Sequence, residues 1–213
     1  MNFFKTPSVL KRLYPSLTWD KFQDVGLTEE RKIYLTFDDG PIPDLTPWVL
    51  QTLKSYQARA TFFCVGDNIR QHPVLYQSVL AAGHRVGNHT YHHLNGWDTD
   101  NFRYLKNILQ CEALLPLERQ SEKKLFRPPH GKIKFKQIQQ LLPRYQIIMW
   151  DILSGDFDAD FNHEVCLERS IYHTQSGTII IFHDNYKAQK NLMYVLPRYL
   201  EHFTEQGYSF EVL

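Results

Sequence analysis

The chain has 213 residues, 43% of them hydrophobic, enough for one sizeable core and a better fit to one folded unit than to two. Its 24 Lys and Arg against 23 Asp and Glu leave a formal charge of +1, which gives no electrostatic case for a nucleic-acid partner or an anionic membrane surface. Cys64, Cys111 and Cys166 are far apart and form no CxxC pair, which argues against a disulfide framework or zinc ribbon and for buried or unpaired thiols. Residues 1–30 lack clean periodicity and read as an N-terminal arm or short helix packed on a body of residues 31–213. Lys5, Pro7, Lys11 and Arg12 break this arm before an apolar run of signal-peptide length accumulates, and no segment reaches membrane-span length. A cytoplasmic location is therefore expected. Nothing in the sequence specifies an oligomeric state.

Residues 32–38 form an apolar, β-branched and aromatic run, a buried strand that ends in Asp38-Asp39 and the breaker Gly40-Pro41. Thr46-Pro47 reads as a cap and first helical position, with Val49, Leu50, Leu53 and Tyr56 on one face. Residues 60–65 are a second buried strand. The next helix is predicted to turn Val74, Leu75, Val79 and Leu80 inward and to stop at Gly83. A third strand over 85–88 runs into His89, and Phe102, Leu105, Ile108 and Leu109 mark a third helix. Residues 125–127 are a fourth strand cut off by Pro128-Pro129, followed by a helix carrying Phe135, Ile138, Leu141 and Leu142. Residues 146–150 supply a fifth strand; a helix around 165–173 precedes the run 178–182, which ends at His183. Leu192, Val195, Leu196, Tyr199, Leu200 and Phe203 make a helical stripe, stopped by Gly207 before a last strand over 209–212. Seven strands alternating with helices predict an α/β fold with parallel strands and right-handed crossovers, closed or nearly closed into a barrel. An open doubly wound sheet is the alternative.

In parallel α/β architectures the site lies at the C-terminal strand ends. Five such ends carry polar cargo: Asp38-Asp39, His89, Arg127, the stretch Asp151 to Asp156, and His183. A single Asp-Gly turn would account for one of them, not for five. His89 and His93 stand four apart, so on a helical turn both imidazoles would share a face, with His92 pointing elsewhere. One carboxylate of the Asp38-Asp39 pair would complete a His-His-Asp set that leaves positions open for water and substrate, a hydrolytic metal site in outline. His72, His84, His163, His173 and His202 are assigned to surface or core.

These residues resemble the polysaccharide deacetylase (NodB-homology) family, carbohydrate esterase family four, and the likeness runs from about Ile33 to Leu213. Thr36 to Pro41 is similar to its first motif, whose leading Asp, here Asp38, is the general base and whose second, Asp39, binds metal. His89-Thr90-Tyr91-His92-His93 matches the H-[S/T]-x-x-H motif, which implies His89 and His93 as ligands and Thr90 as a support. Arg127 to Gly131 resembles the R-x-P-Y-G motif, whose Arg pairs with the base and whose aromatic position offers a backbone N–H to the oxyanion; that position is His130 here. Trp150 to Phe157 resembles the fourth motif, with Asp156 orienting the catalytic His and Phe157 where Trp is common. Residues 177–183 resemble the fifth, with Ile181 in place of the usual Leu and His183 as general acid.

The family's distorted seven-stranded (β/α) barrel is accordingly expected. So is metal-dependent hydrolysis of an N-acetyl group on an amino sugar or polysaccharide, with substrate contacts from His130, Gly131, Trp150 and Ile181. Zinc is the first expectation for the ion, and cobalt, nickel or manganese also suit two imidazoles and a carboxylate. A carbohydrate is the expected partner. The alternatives are a non-sugar amide or cyclic ureide as substrate, or a glycan-binding domain without catalysis.

Overall fold

Strand β1 (Arg31–Asp38) is buried from Ile33 to Asp38, with both faces covered there. Ile33, Leu35 and Phe37 face the main core with Phe62, Ile180 and Phe182, whereas Tyr34 faces inward with Phe63, Leu125, Ile148 and Ile179. The computed structural model describes residues 4–25, 30–115, 123–158 and 160–213. β2 (Ala60–Cys64), β3 (Arg85–Asn88), β4 (Lys124–Phe126) and β5 (Tyr145–Ile147) continue the sheet on one side of β1. β7 (Ile179–His183) and the short β6 (Ile152–Leu153) continue it on the other. All these pairings are parallel, in the order β5-β4-β3-β2-β1-β7-β6, and β8 (Tyr208–Phe210) pairs with the first half of β1. The result is the expected α/β architecture, a seven-strand path curled into a half-barrel.

One strand differs from its prediction. The run 146–150 does not stay in one ladder: Ile148 N donates to Phe126 O on β4, and three residues later Asp151 N donates to Ile179 O on β7. The chain thus steps from one edge of the sheet to the other, and β5 and β6 are separate strands. The gap between them is bridged by the N-terminal arm, where Thr18 pairs with Ile148 and Lys5 with Ile152. Helices α1 (Ser8–Leu13) and α2 (Phe22–Val25) belong to this arm. The arm is anchored by Lys11 Nζ, 2.5 Å from Oδ1 of the fully buried Asp151.

Helices α3 (Leu45–Ser55), α5 (Pro73–Ala81), α8 (His163–His173) and α9 (Gln189–Glu205) cover the main core. The predicted α9 stripe is buried throughout, and burying a large apolar side chain of this kind stabilises by roughly 1.5–3 kcal/mol. α6 (Asn101–Glu112) and α7 (Phe135–Leu141) pack with Phe126, Tyr145 and Ile147 in a second cluster. In three helices the predicted inward face holds at Val79, Ile108, Ile138 and Leu141 but fails at its N-terminal edge. Val74, Phe102 and Phe135 are exposed, at 80%, 79% and 67%, because Tyr76 and Val79 in α5, Tyr104, Ile108 and Cys111 in α6, and Ile138 and Leu141 in α7 face inward. Thr46 is not a cap. It is the second residue of α3, and its hydroxyl accepts from Ile42 N and donates to Asp184 Oδ2. No described helix is long and apolar enough to cross a membrane.

Candidate active site

The register of the sheet brings the loaded strand ends together, with Asp38 level with Phe63 on β2 and His183 on β7. Arg127, just past β4, is fully buried beneath them. Its Nη1 donates to Asp38 Oδ1 at 2.8 Å and to Thr36 Oγ1 at 2.7 Å, and its Nη2 donates to Met149 O at 2.8 Å. The guanidinium lies over the Phe63 ring, 4.2 Å from its centroid. Burial pulls the Arg127 pKa down, and the Asp38 charge opposes that pull. An isolated buried cation here would be costly, so Arg127 and Asp38 depend on each other.

Arg127 also acts through its main chain. His89 Nδ1 lies 2.8 Å from Arg127 O, and since a carbonyl only accepts, Nδ1 carries the proton and Nε2 presents its lone pair. That lone pair faces Asp39 Oδ1 at 3.5 Å, with His93 Nε2 3.0 Å from the same oxygen. Asp39 sits just beyond β1 at φ 84°, a left-handed conformation held by Asn68 Nδ2 on its carbonyl and by Asn185 Nδ2 on Oδ2, at 2.7 and 2.6 Å. Gly40 follows because the Asp184 carboxylate packs against its Cα: a Cβ there would lie 2.0 Å from Asp184 Oδ2. Burial raises the Asp184 pKa to about 8 despite hydrogen bonds from Thr46 and Gly40.

The segment from His89 to His93 is not the predicted helical turn. Thr90 and His93 have φ of 62° and 54°, and the backbone N–H groups go to side chains instead, Thr90 N to Asn88 Oδ1 and Leu94 N to Thr90 Oγ1. The bend still brings the two rings within 5.1 Å of each other, while His92 turns away to Asn107. Asp39, His89 and His93 offer ligand atoms that all lie within 4.8 Å of one another. Atoms about 2.0–2.2 Å from a tetrahedral ion stand about 3.3 Å apart, close to the 3.0 and 3.5 Å separations seen here. Asp39 Oδ1 is buried without a hydrogen-bond partner, an orphan that a cation would satisfy. The donor set therefore fits a divalent metal.

Across the cleft, His183 Nδ1 and its backbone N each meet one oxygen of Asp156, both at 2.8 Å. Ser154 Oγ donates to the same carboxylate, which is fully buried. Burial lowers the His183 pKa, but the Asp156 charge beside it, with those of Asp39 and Asp38, overrides this and brings it from 6.5 to about 9. Asp38, Asp39, His89, His93 and His183 line a cleft of about 890 Å³, and His130, Gly131, Trp150 and Ile181 form part of its wall. The His130 ring meets His93 edge to face at 4.6 Å. The polar strand-end residues singled out from the sequence thus reach this region, with one exception. Asp151 does not; it faces the arm. The neutral residues Asn68, Asn185 and Ser154 were missed; Asn185, two past His183, and Ser154, inside the loaded stretch 151–156, carried a positional signal, and Asn68 carried none.

Comparison with known proteins agrees with this geometry. The polysaccharide deacetylase family model matches residues 26–144. A peptidoglycan-N-acetylglucosamine deacetylase of Bacillus cereus is 34% identical over 185 residues, 85% of each chain. The deacetylase PgdA of Listeria monocytogenes is 31% identical over 205 residues, 95% of this chain but 42% of its own length. In solved structures, the Bc1960 peptidoglycan N-acetylglucosamine deacetylase shares the fold with a TM-score of 0.84, at 24% identity and covering 98% of this chain and 95% of that one. The chain belongs to the polysaccharide deacetylase family, hydrolases that act on carbon–nitrogen bonds other than peptide bonds.

Proposed function

We propose that this protein removes the N-acetyl group from an N-acetylated amino sugar of the peptidoglycan type, with a divalent cation, zinc first, held by Asp39, His89 and His93. The supporting observation is the convergence in one cleft of that donor set, the Asp38–Arg127 pair and the His183–Asp156 pair. When bound, the cation supplies Lewis acidity, easing deprotonation of water and drawing charge from the acetyl carbonyl. Asp38, whose Oδ1 is taken up by Arg127, receives the proton of the attacking water through Oδ2. The backbone N–H at the His130 turn donates to the carbonyl oxygen as charge builds there. His183 then delivers the proton from Nε2 to the sugar nitrogen, since Asp156 occupies Nδ1. An amide leaves as an amine only when protonated, so this acid is as necessary as the base. Ile181 and Trp150 shape the wall against which the acetyl group and sugar lie.

The test is acetate release from N-acetylglucosamine oligosaccharides and peptidoglycan, before and after chelation and on return of zinc or cobalt. Turnover should vanish with the ion and return with it. Undiminished turnover in chelated protein would remove the cation from the mechanism, and preferential hydrolysis of simple amides or cyclic ureides would remove the sugar.

A further inference from the structure

We propose that a second groove, opening off the catalytic cleft, holds an apolar group attached to the amino sugar, an inference that rests on the deacetylase reading above. The groove has a volume of about 460 Å³ and runs between the N-terminal arm, through Leu10, Tyr14 and Leu17, and the loop residues Trp97 and Ile133. It shares His130, Gly131, Trp150 and Leu153 with the cleft, so whatever fills it is continuous with the molecule being hydrolysed. Its size and lining fall in the range of small-molecule sites.

Several of the polar hydrogens around it are already committed, although Tyr14 Oη, the His130 ring and Trp150 Nε1 keep theirs. Trp97 Nε1 donates to Ile133 O and Trp19 Nε1 to Tyr14 O, both at 3.1 Å, and Thr6 Oγ1 donates to Trp150 O at 2.8 Å. Among the described residues, no Asp, Glu, Lys or Arg lines it. What remains is mostly ring faces and methyl groups, and sugar hydroxyls seated there would lose more water contacts than they gain partners. An alkyl or aryl group has no such penalty. Leu10, Tyr14 and Trp97 are 38%, 40% and 58% exposed, leaving apolar surface for that group to cover. The groove is also preformed, because the arm is fixed by Lys11 on Asp151, by Thr6 N on Asp151 O and by Met149 N on Thr18 O, the last two at 2.7 Å.

The test is calorimetric binding of methyl, butyl and octyl β-glycosides of N-acetylglucosamine, below micelle-forming concentrations, to the zinc-loaded wild type and to Leu10→Asp and Trp97→Ala. Each seated methylene should tighten binding about fourfold, so octyl should exceed methyl by at least about 30-fold. In Leu10→Asp the ratio should fall to about threefold or less. Equal affinities in the wild type, or an octyl preference that survives both substitutions, overturns the proposal. So does a Leu10→Asp effect confined to longer sugar chains, which would put saccharide in the groove, or to self-association in sedimentation, which would put a second copy there. Binding is read without turnover. Absence of acetate release from every glycoside would therefore defeat the deacetylase reading while the calorimetry still decides the groove.

Discussion

Replacing Asp156 with Asn keeps the shape of the group beside His183 and removes its charge. Burial alone would hold His183 below its ordinary 6.5, and its rise to about 9 is owed first to Asp156. With the amide, burial dominates again and the pKa should fall from about 9 back to 6.5 or lower. At pH 8 the imidazolium fraction would drop from about 90% to about 3%, so kcat/KM there should fall about 30-fold. The assay is kcat/KM for acetate release from pH 5 to 10 at full metal occupancy. The alkaline limb should move down by about two pH units while the acidic limb, set by the base, stays in place. An alkaline limb that does not move in Asp156→Asn would falsify the assignment of His183 as the acid poised by Asp156. Stability gives a second readout. Because the folded pKa is raised, the pair's contribution is complete below about pH 6.5 and lost as pH rises through about 9. The Tm deficit of Asp156→Asn should accordingly be larger at pH 6 than at pH 10.

His89→Ala and His93→Ala should each lose the ion by elemental analysis, whereas His92→Ala, whose ring turns to Asn107, should retain it; equal loss in all three would sink the ligand set. Asp38→Asn should keep the ion yet lower kcat by roughly 10²–10⁴-fold, the usual contribution of a positioned base, and loss of metal in that variant would mean the two carboxylates have exchanged roles. Arg127→Met should destabilise the fold by about 3–5 kcal/mol in denaturant titration, because it leaves Asp38 buried beside no cation. A stability within 1 kcal/mol of wild type, as an order-of-magnitude bound, would show that water or rearrangement replaces the guanidinium.

The strand ends at Phe37-Asp38-Asp39-Gly40 and Phe126-Arg127-Pro128 were legible because an apolar run stops there at a charged residue and a breaker. Such punctuation is local. What holds Asp39 is not: Asn68 lies on α4 (Gly66–Gln71) and Asn185 beyond β7, and only the folded sheet brings their amides to one carboxylate. Helix phase failed where tyrosine is the inward residue. Tyr76 and Tyr104 are buried while the more apolar Val74 and Phe102 face water, so counting hydrophobicity alone misplaces these positions even though Val79 and Ile108 point inward as expected. β6 escaped notice for another reason. Two residues cannot show a period of two, and Ile152-Leu153 is a strand only because β7 lies beside it. The convergence of His89 and His93 was anticipated from a helical spacing the chain does not adopt, so there the expected contact is present through different backbone geometry.

The arm that spans the gap between β5 and β6 also decides how the chain can be cut. A version beginning at residue 20 would retain Asp38, Asp39, His89, Arg127 and every other side chain assigned to chemistry. It would lose the acceptors of Met149 N and Leu153 N, which are Thr18 O and Phe4 O, and would leave the buried Asp151 without Lys11. Two strand edges would then lie open side by side, and an open edge is a template for pairing with another chain. Such a truncation would be limited by aggregation before it was limited by catalysis, and soluble yield, rather than specific activity, is where the missing segment would first be felt.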